Sequence, residues 1–319
     1  MIVTVTMNAA LDRTLTVPNL QLGQRHRASA GLTLAGGKGI NVARALKALG
    51  VPVVATGLAG GRTGTRIVEE LTNEAILNDF VRIGDESRTS TLVVDPTSGT
   101  STEIYEWGPH VSDDELAMLL DKIAYLSRGA DLVVLAGSLP RGVDPGFYGE
   151  TIRDLSRRGL RAVLDTEGEP LRRGVEAEPW LVSPNQREAE SLVGQEFHDE
   201  EDFHMALDAI AELGARNVLI GHEGGVFALV REERRSPHRF DVRLTPHEPI
   251  APAGAGDAML AGYIAGFVGE SALEDALRSA VATGAAATLE VGSGRFDARE
   301  VARIAATVDV VAIEPVSAR

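Results

Sequence analysis

Residues 130–139 read Ala-Asp-Leu-Val-Val-Leu-Ala-Gly-Ser-Leu, ADLVVLAGSL, and this stretch decides how the chain folds. Its middle is continuously apolar, with no polar residue at alternate positions. A strand built from it has to be covered on both faces, as a parallel strand between two layers of helices is. It closes on small and polar residues, Gly137 and Ser138, which suit a loop at the ligand-collecting edge of such a sheet. Four further stretches have the same form: VPVVATGLAG (51–60), LRAVLDTEG (160–168), PWLVSPN (179–185) and RNVLIGHEGG (216–225). Amphipathic helical patterns lie among them at 113–126, 146–157, 187–193 and 202–213. Alternation of this kind predicts an α/β fold: a doubly wound, mainly parallel sheet with helices on both faces and right-handed crossovers.

Two segments break the rhythm. LDRTLTVPNLQLGQRHRASAGLTLAGG (11–37) and SRTSTLVVDPTSGTSTEIYEWGP (87–109) alternate Thr and Ser with Val, Leu and Ile and carry no helical period. They are expected to form strand pairs outside the main sheet, a small β lid from residues 11–35 and 87–108 over the ligand edge. No repeat or linker divides the 319 residues, so a single domain spanning 1–319 is expected. The opening MIVTVTMNAALD reads as a first strand rather than a targeting segment, and no apolar run reaches the roughly 18 to 20 residues of a membrane span. The absence of cysteine excludes disulfides, thiolate catalysis and thiolate-bound metals. A net charge of −15 argues against nucleic acid as a partner. The basic-rich run VREERRSPHRF mixes Glu232 and Glu233 with its arginines and reads as a solvated hairpin. A soluble cytoplasmic protein is the expectation.

Three motifs carry chemistry. In GAGDAM, Gly254, Ala255 and Gly256 let backbone amides approach a ligand at a helix N-terminus, where an anion is stabilised. Asp257 then stands where it could take a proton from a hydroxyl aimed at that anion, although aspartate is also a common N-cap. In LAGGKGINVARALKALG (34–50), Gly36, Gly37 and Gly39 open a helix, with Lys38 in the glycine turn and Asn41 in the first helical turn. The preceding segment is polar, which argues against a dinucleotide fingerprint and for a polyol and phosphate site. In SPNQREAESLVG (183–194), Asn185 and Glu188 could hold a hydrated Mg²⁺, and the same spacing suits an Asn N-cap with a Glu capping box.

Taken in order, TVTMNAALDRT, GGKGINVARAL, GSLPRGV, SPNQREAE and GAGDAMLAG resemble the ribokinase or PfkB family of carbohydrate kinases, from the first strand to about residue 312. They look most like its hexose-phosphate branch, and TEIYEWGPHVS sits where that branch has its second lid strand. The resemblance implies a ribokinase-like fold and transfer of the ATP γ-phosphoryl group to a phosphorylated ketohexose. Fructose 1-phosphate is the expected acceptor; tagatose 6-phosphate and fructose 6-phosphate are the alternatives. Lys38 in Gly-Gly-Lys-Gly favours the first two over the fructose-6-phosphate branch, which often has glycine there, and Ser90, where that branch often has Asn, weakens the choice between them.

By the same resemblance Asp257 is the catalytic base, and the amides of Ala255, Gly256 and Asp257, led by Gly254, form the anion hole. Asp12 is implied to bind sugar hydroxyls with Gly36, Gly37 and Asn41, while Lys38, Arg27 and Arg88 are candidates for the phosphate already on the sugar and Ser138 lies near it. Asn185 and Glu188 are carried over as Mg·ATP ligands acting through water. Gly221 and Gly224 fall in the nucleotide loop, and Thr283 and Gly284 close an adenine pocket around 280–284. A monovalent cation near Ser293 and a homodimer through the lid complete the expectations. The chain departs from the pattern at Ser183, where a lysine is usual, and at Gly221-His222-Glu223-Gly224-Gly225, where Ser-x-Gly-x-x-Gly is usual. That altered loop raises the alternative of a sugar-phosphate sensor with weak catalysis.

Overall fold

The computed structural model describes residues 1–231, 237–245, 249–251 and 253–313. Pro252, Glu232 and Glu233 lie outside the described residues. The elements run β1 (Ile2–Thr6), β2 (Ala10–Thr16), β3 (Ala30–Gly36), α1 (Lys38–Ala48), β4 (Val53–Gly60), α2 (Gly61–Asn73), β5 (Leu77–Ile83), β6 (Arg88–Asp95), β7 (Thr100–Tyr105), α3 (Asp113–Leu126), β8 (Leu132–Ala136), α4 (Phe147–Arg157), β9 (Arg161–Asp165) and α5 (Gly168–Val175). They continue with β10 (Leu181–Val182), α6 (Gln186–Val193), α7 (Glu200–Leu213), β11 (Val218–His222), β12 (Gly225–Val230), β13 (His238–Arg243), α8 (Ala255–Val268), α9 (Leu273–Ala287), α10 (Ala298–Ala305) and β14 (Asp309–Ile313).

Among the described residues the main sheet has the order β14-β13-β12-β11-β10-β9-β8-β1-β4-β5. Every neighbour pair from β11 to β5 is parallel. The flanking β11–β12, β12–β13 and β13–β14 pairs are antiparallel. The continuous apolar runs are explained by the two cores they separate. Along β8, Leu132, Val134 and Ala136 pack into one core, with residues of α1, α2, α8, α9 and α10. Val133 and Leu135 pack into the other, with residues of α3, α4, α5, α6 and α7. Neither face of β8 meets water, and both are apolar.

Helix starts follow local chemistry. Asp199 accepts from the amides of Glu201 (3.0 Å) and Asp202 (3.1 Å), so α7 begins two residues before the periodic pattern does. The strand expected in PWLVSPN shrinks to Leu181–Val182. Pro184 has no N–H to extend the ladder, and Asn185 is already the cap of the next helix. The basic-rich run has the strand flanks of a hairpin, with Val230 opposite His238.

The two Thr/Ser-rich segments form a separate four-stranded sheet, β3-β2-β6-β7, with β2 and β6 parallel and the outer pairs antiparallel. The chain passes from β1 to β2 through Met7, Asn8 and Ala9, which hangs this sheet from the C-terminal end of β1. The Asp95 carboxylate fastens its long β2–β3 connection by accepting from the amides of Asn19 (2.9 Å) and Leu20 (3.0 Å). Strand β7 is exposed along its whole length.

Candidate active site

The first turns of α1 and α8 meet beside the small sheet. Helix α8 is preceded by Gly254, whose φ of +83° is left-handed and which offers no side chain to cap the helix. A Cβ there would lie 2.6 Å from the Cβ of Ser293, so glycine is required by both backbone and packing. Among the described residues the amides of Ala255, Gly256 and Asp257 are therefore left as unfilled donors at the positive end of the helix. A Cβ on Gly256 would meet nothing within 4 Å, so the space before these amides is open.

Asp257 is buried at 6 % exposure and accepts from Asn41 Nδ2 at 2.8 Å. Burial raises its pKa and the charge of Asp165 adds to the rise, while Lys38 and the Asn41 hydrogen bond oppose it. Lys38, the first residue of α1, reaches Asp165 Oδ1 at 2.7 Å and Glu188 Oε1 at 3.2 Å. Burial works against its charge, but Asp165, Glu188 and Asp257 outweigh that and hold the ammonium protonated. Lys38 thus bridges two carboxylates.

Asp165 was not picked out by sequence reasoning. The available signal was the last apolar run but two, which ends on a carboxylate at the C-terminal end of β9. Only the parallel register of β8 and β9, with Ala136 opposite Asp165, brings that carboxylate beside the start of α1.

Asn41, expected on sugar hydroxyls, is buried, with its amide nitrogen on Asp257 and its oxygen accepting from Arg44 at 3.2 Å. Asp12 lies in β2 opposite Leu34 and Ser90. Burial lifts its pKa to about 6 against the pull of Arg88 and Arg44. A Cβ at Gly36 would lie 1.9 Å from Asp12 Oδ2, so that glycine makes room for the carboxylate. Gly37 is the cap position of α1. Arg88 opens β6, donating to the Asn8 carbonyl at 3.3 Å and lying 5.7 Å from the Tyr105 ring centre. Ser138 accepts from Asn8 Nδ2 at 3.1 Å, and Asn8 Oδ1 is buried without a partner. Arg27 stands apart, exposed on the β2–β3 connection.

The nucleotide-side residues divide. Asn185 and Glu188 form a complete capping box on α6: Asn185 Oδ1 accepts from the Glu188 amide at 3.0 Å and Glu188 Oε2 from the Asn185 amide at 2.8 Å. Burial raises the Glu188 pKa and Lys38 lowers it, the rise prevailing. Gly221, the last residue but one of β11, donates to the Pro184 carbonyl at 3.0 Å, which ties the loop to the α6 cap. Gly224 sits in a tight Glu223-Gly224 turn between β11 and β12 and donates to His222 Nδ1 at 3.1 Å. Glu223 is exposed at that tip, and His222 stacks on Phe227 at 5.0 Å. Burial pushes the His222 pKa down and favours the neutral ring. Thr283 is fully buried with its hydroxyl donating to the Ser279 carbonyl at 2.7 Å, and a Cβ on Gly284 would lie 3.0 Å from Met259 Cβ, so both residues also serve the α8–α9 contact.

The donor set can be tested for Mg²⁺. Among the described residues no three acidic or histidine side chains form a metal cage. Asp165 and Glu188 nevertheless converge on one cationic position, and Mg²⁺ characteristically takes one or two carboxylates and completes its shell with water and phosphate. The residues fit that mode.

A buried carboxylate beside an uncapped helix N-terminus, at the C-terminal edge of a parallel sheet and beside a small β-sheet, defines a phosphotransferase with an alcohol acceptor. Residues 3–299 match the pfkB family carbohydrate kinases, and the chain belongs to that family. A 1-phosphofructokinase of Xanthomonas campestris is 34 % identical, with 98 % of each chain covered. One from Bacillus subtilis is 32 % identical over 93 % of this chain and 96 % of its own. Phosphofructokinase-2 from Escherichia coli, in complex with substrates and products, superimposes with a TM-score of 0.88 at 29 % identity, covering 96 % of this chain and 98 % of that one; its complex with potassium gives 0.86. The protein is a sugar-phosphate kinase, and membership in the family implies ATP as donor and Mg²⁺ as its companion.

Proposed function

We propose that the chain transfers the γ-phosphoryl group of ATP to O6 of fructose 1-phosphate, giving fructose 1,6-bisphosphate. The observation that carries the mechanism is the pairing of the uncapped α8 amides with Asp257, one oxygen of which is held by Asn41. The choice of sugar is supported by the names of the relatives. Asp257 takes the proton of the acceptor hydroxyl as the new P–O bond forms and the bond to the ADP oxygen breaks. The amides of Ala255, Gly256 and Asp257 receive the equatorial oxygens of the moving phosphoryl group. Lys38 counters charge accumulating on that group. Glu188 and Asn185, with Asp165 near, would hold Mg²⁺ through water, and the ion would supply further charge neutralisation.

Asp12, Gly36 and Gly37 bind sugar hydroxyls, and Arg88 receives the phosphate already on the sugar with Ser138 beside it; Arg27 joins only when the β2–β3 connection folds inward. The small sheet acts as a lid on one kinase domain, and Gly221 and Gly224 line the nucleotide. A monovalent cation beside Ser293 is supported by the potassium complex of the Escherichia coli relative. The exposed β7 edge and the exposed Ile104, Tyr105 and Trp107 support a homodimer through the lid. The cytoplasm, where ATP and sugar phosphates meet, is the proposed location.

The test is ADP release with fructose 1-phosphate, tagatose 6-phosphate and fructose 6-phosphate, each with ATP or GTP at fixed Mg²⁺. The highest kcat/KM is expected for fructose 1-phosphate with ATP. A higher value for either other sugar would replace the acceptor, and tight sugar binding without turnover would favour the sensor.

A further inference from the structure

Arg44 lies one helical turn beyond Asn41, is 5 % exposed, and spends its whole guanidinium on four parts of the molecule. Nε and Nη2 donate to the two Glu74 oxygens at 2.5 and 2.8 Å, just past the end of α2. Nη2 also donates to the Ala35 carbonyl of β3 at 2.6 Å. Nη1 donates to the Ser293 carbonyl at 3.0 Å and to Asn41 Oδ1 at 3.2 Å.

A guanidinium can only donate. It therefore fixes which way the Asn41 amide faces: the oxygen must point to Arg44, so the nitrogen must point to Asp257. The flipped amide would set N–H against N–H on one side and oxygen against carboxylate on the other. Asp257 Oδ2 thereby gives one lone pair to Asn41, whereas Oδ1 accepts no hydrogen bond among the described residues and is the less committed oxygen for a proton. Ala35 precedes Gly36, which faces the Asp12 carboxylate, and Ser293 packs on Gly254. The same guanidinium thus holds the root of the lid and the bend that opens α8.

We propose that Arg44, anchored by Glu74, is a positioning residue: by orienting Asn41 it selects Oδ1 of Asp257 as the base and registers the lid root against it. The inference rests on Asp257 being the base. The groups that set the protonation of Asp257 are Asp165 from β9, Lys38 and Asn41 from α1, and Asp12 from β2. Arg44 acts on it through the Asn41 hydrogen bond, which favours the charged carboxylate.

The experiment compares wild type with Arg44→Lys and Glu74→Gln by thermal melting, by kcat and KM for fructose 1-phosphate and ATP, and by the pH profile of kcat/KM. For Arg44→Lys, kcat is expected to fall by about tenfold or more, with KM for ATP within a few-fold and the acid limb moved up by about one pH unit. Glu74→Gln should move the limb the same way by less, and it carries the test if Arg44→Lys does not fold. In an Asn41→Ala background, Arg44→Lys should add no further shift. A lowered melting temperature with an unmoved limb and unchanged kcat in the folded variants would overturn the proposal, because a purely structural role predicts that pattern. Full activity of Asp257→Asn would instead remove the base itself, so the two failures are distinguishable.

Discussion

Two helices begin at the same edge of the main sheet and treat their first turns in opposite ways. At α6, Asn185 and Glu188 satisfy each other's amides in a closed capping box. At α8, Gly254 supplies no side chain, and the helix opens on bare amides with a buried carboxylate behind them. Amides left without a cap are satisfied by water or by a ligand. The difference teaches where the chemistry lies: α6 finishes its own hydrogen bonding and lends only the far oxygen of Glu188 to Lys38, whereas α8 keeps its donors for a ligand.

The sharpest way to break this contrast is Asp257→Asn. It should lower kcat by about 10²- to 10⁴-fold while leaving KM for ATP within a few-fold, measured by ADP release. A raised folded pKa means the neutral acid is the favoured buried form. Its stabilising contribution is complete in acid, below the unfolded value, and is lost as pH rises through the raised one. Asp257→Asn should therefore raise the melting temperature at alkaline pH even as it slows turnover.

Next in size is the glycine pair. Gly254→Ala forces a side chain into a left-handed backbone and against Ser293, and should cost about 1–3 kcal/mol in denaturant unfolding together with most of the activity. Gly256→Ala meets no neighbour and should fold normally, with KM for ATP and kcat reporting on crowding at the amides alone. Equal destabilisation of the two variants would mean that the bend is not shaped by its packing. Smaller still is Asn185→Ala, which removes an ordinary cap. Loss of about 0.5–2 kcal/mol is expected, with a kcat decrease well short of that for Asp257→Asn. A larger catalytic loss there than at Asp257 would invert the roles assigned to the two helices.

The parts of this arrangement that the sequence disclosed are those written in consecutive residues. The apolar runs at β4, β8 and β11, the Thr/Ser alternation of the small sheet and the GAGDAM bend all carry their cause within about ten positions. The capping box at Asn185 was legible for the same reason, and the structure shows it formed. What was not legible depends on distant partners. Asp165 gains its place from strand register and from Lys38, 127 residues earlier. Arg44 looks like any polar position on an amphipathic helix until Ser293, 249 residues away, and Glu74 close around it. The bond from the Thr283 hydroxyl to the preceding helical carbonyl of Ser279 likewise leaves no trace in the sequence.

The most direct measurement is the single-turnover rate of phosphoryl transfer to fructose 1-phosphate as a function of pH, for wild type and Asp257→Asn. The wild type should lose rate as pH falls through a midpoint above the ordinary carboxylate range, because the buried base must be ionised to act. The variant should be slow and flat across the same range. A variant that keeps the wild-type rate, or the same acid limb, would contradict the assignment of Asp257 and of the bare amides beside it.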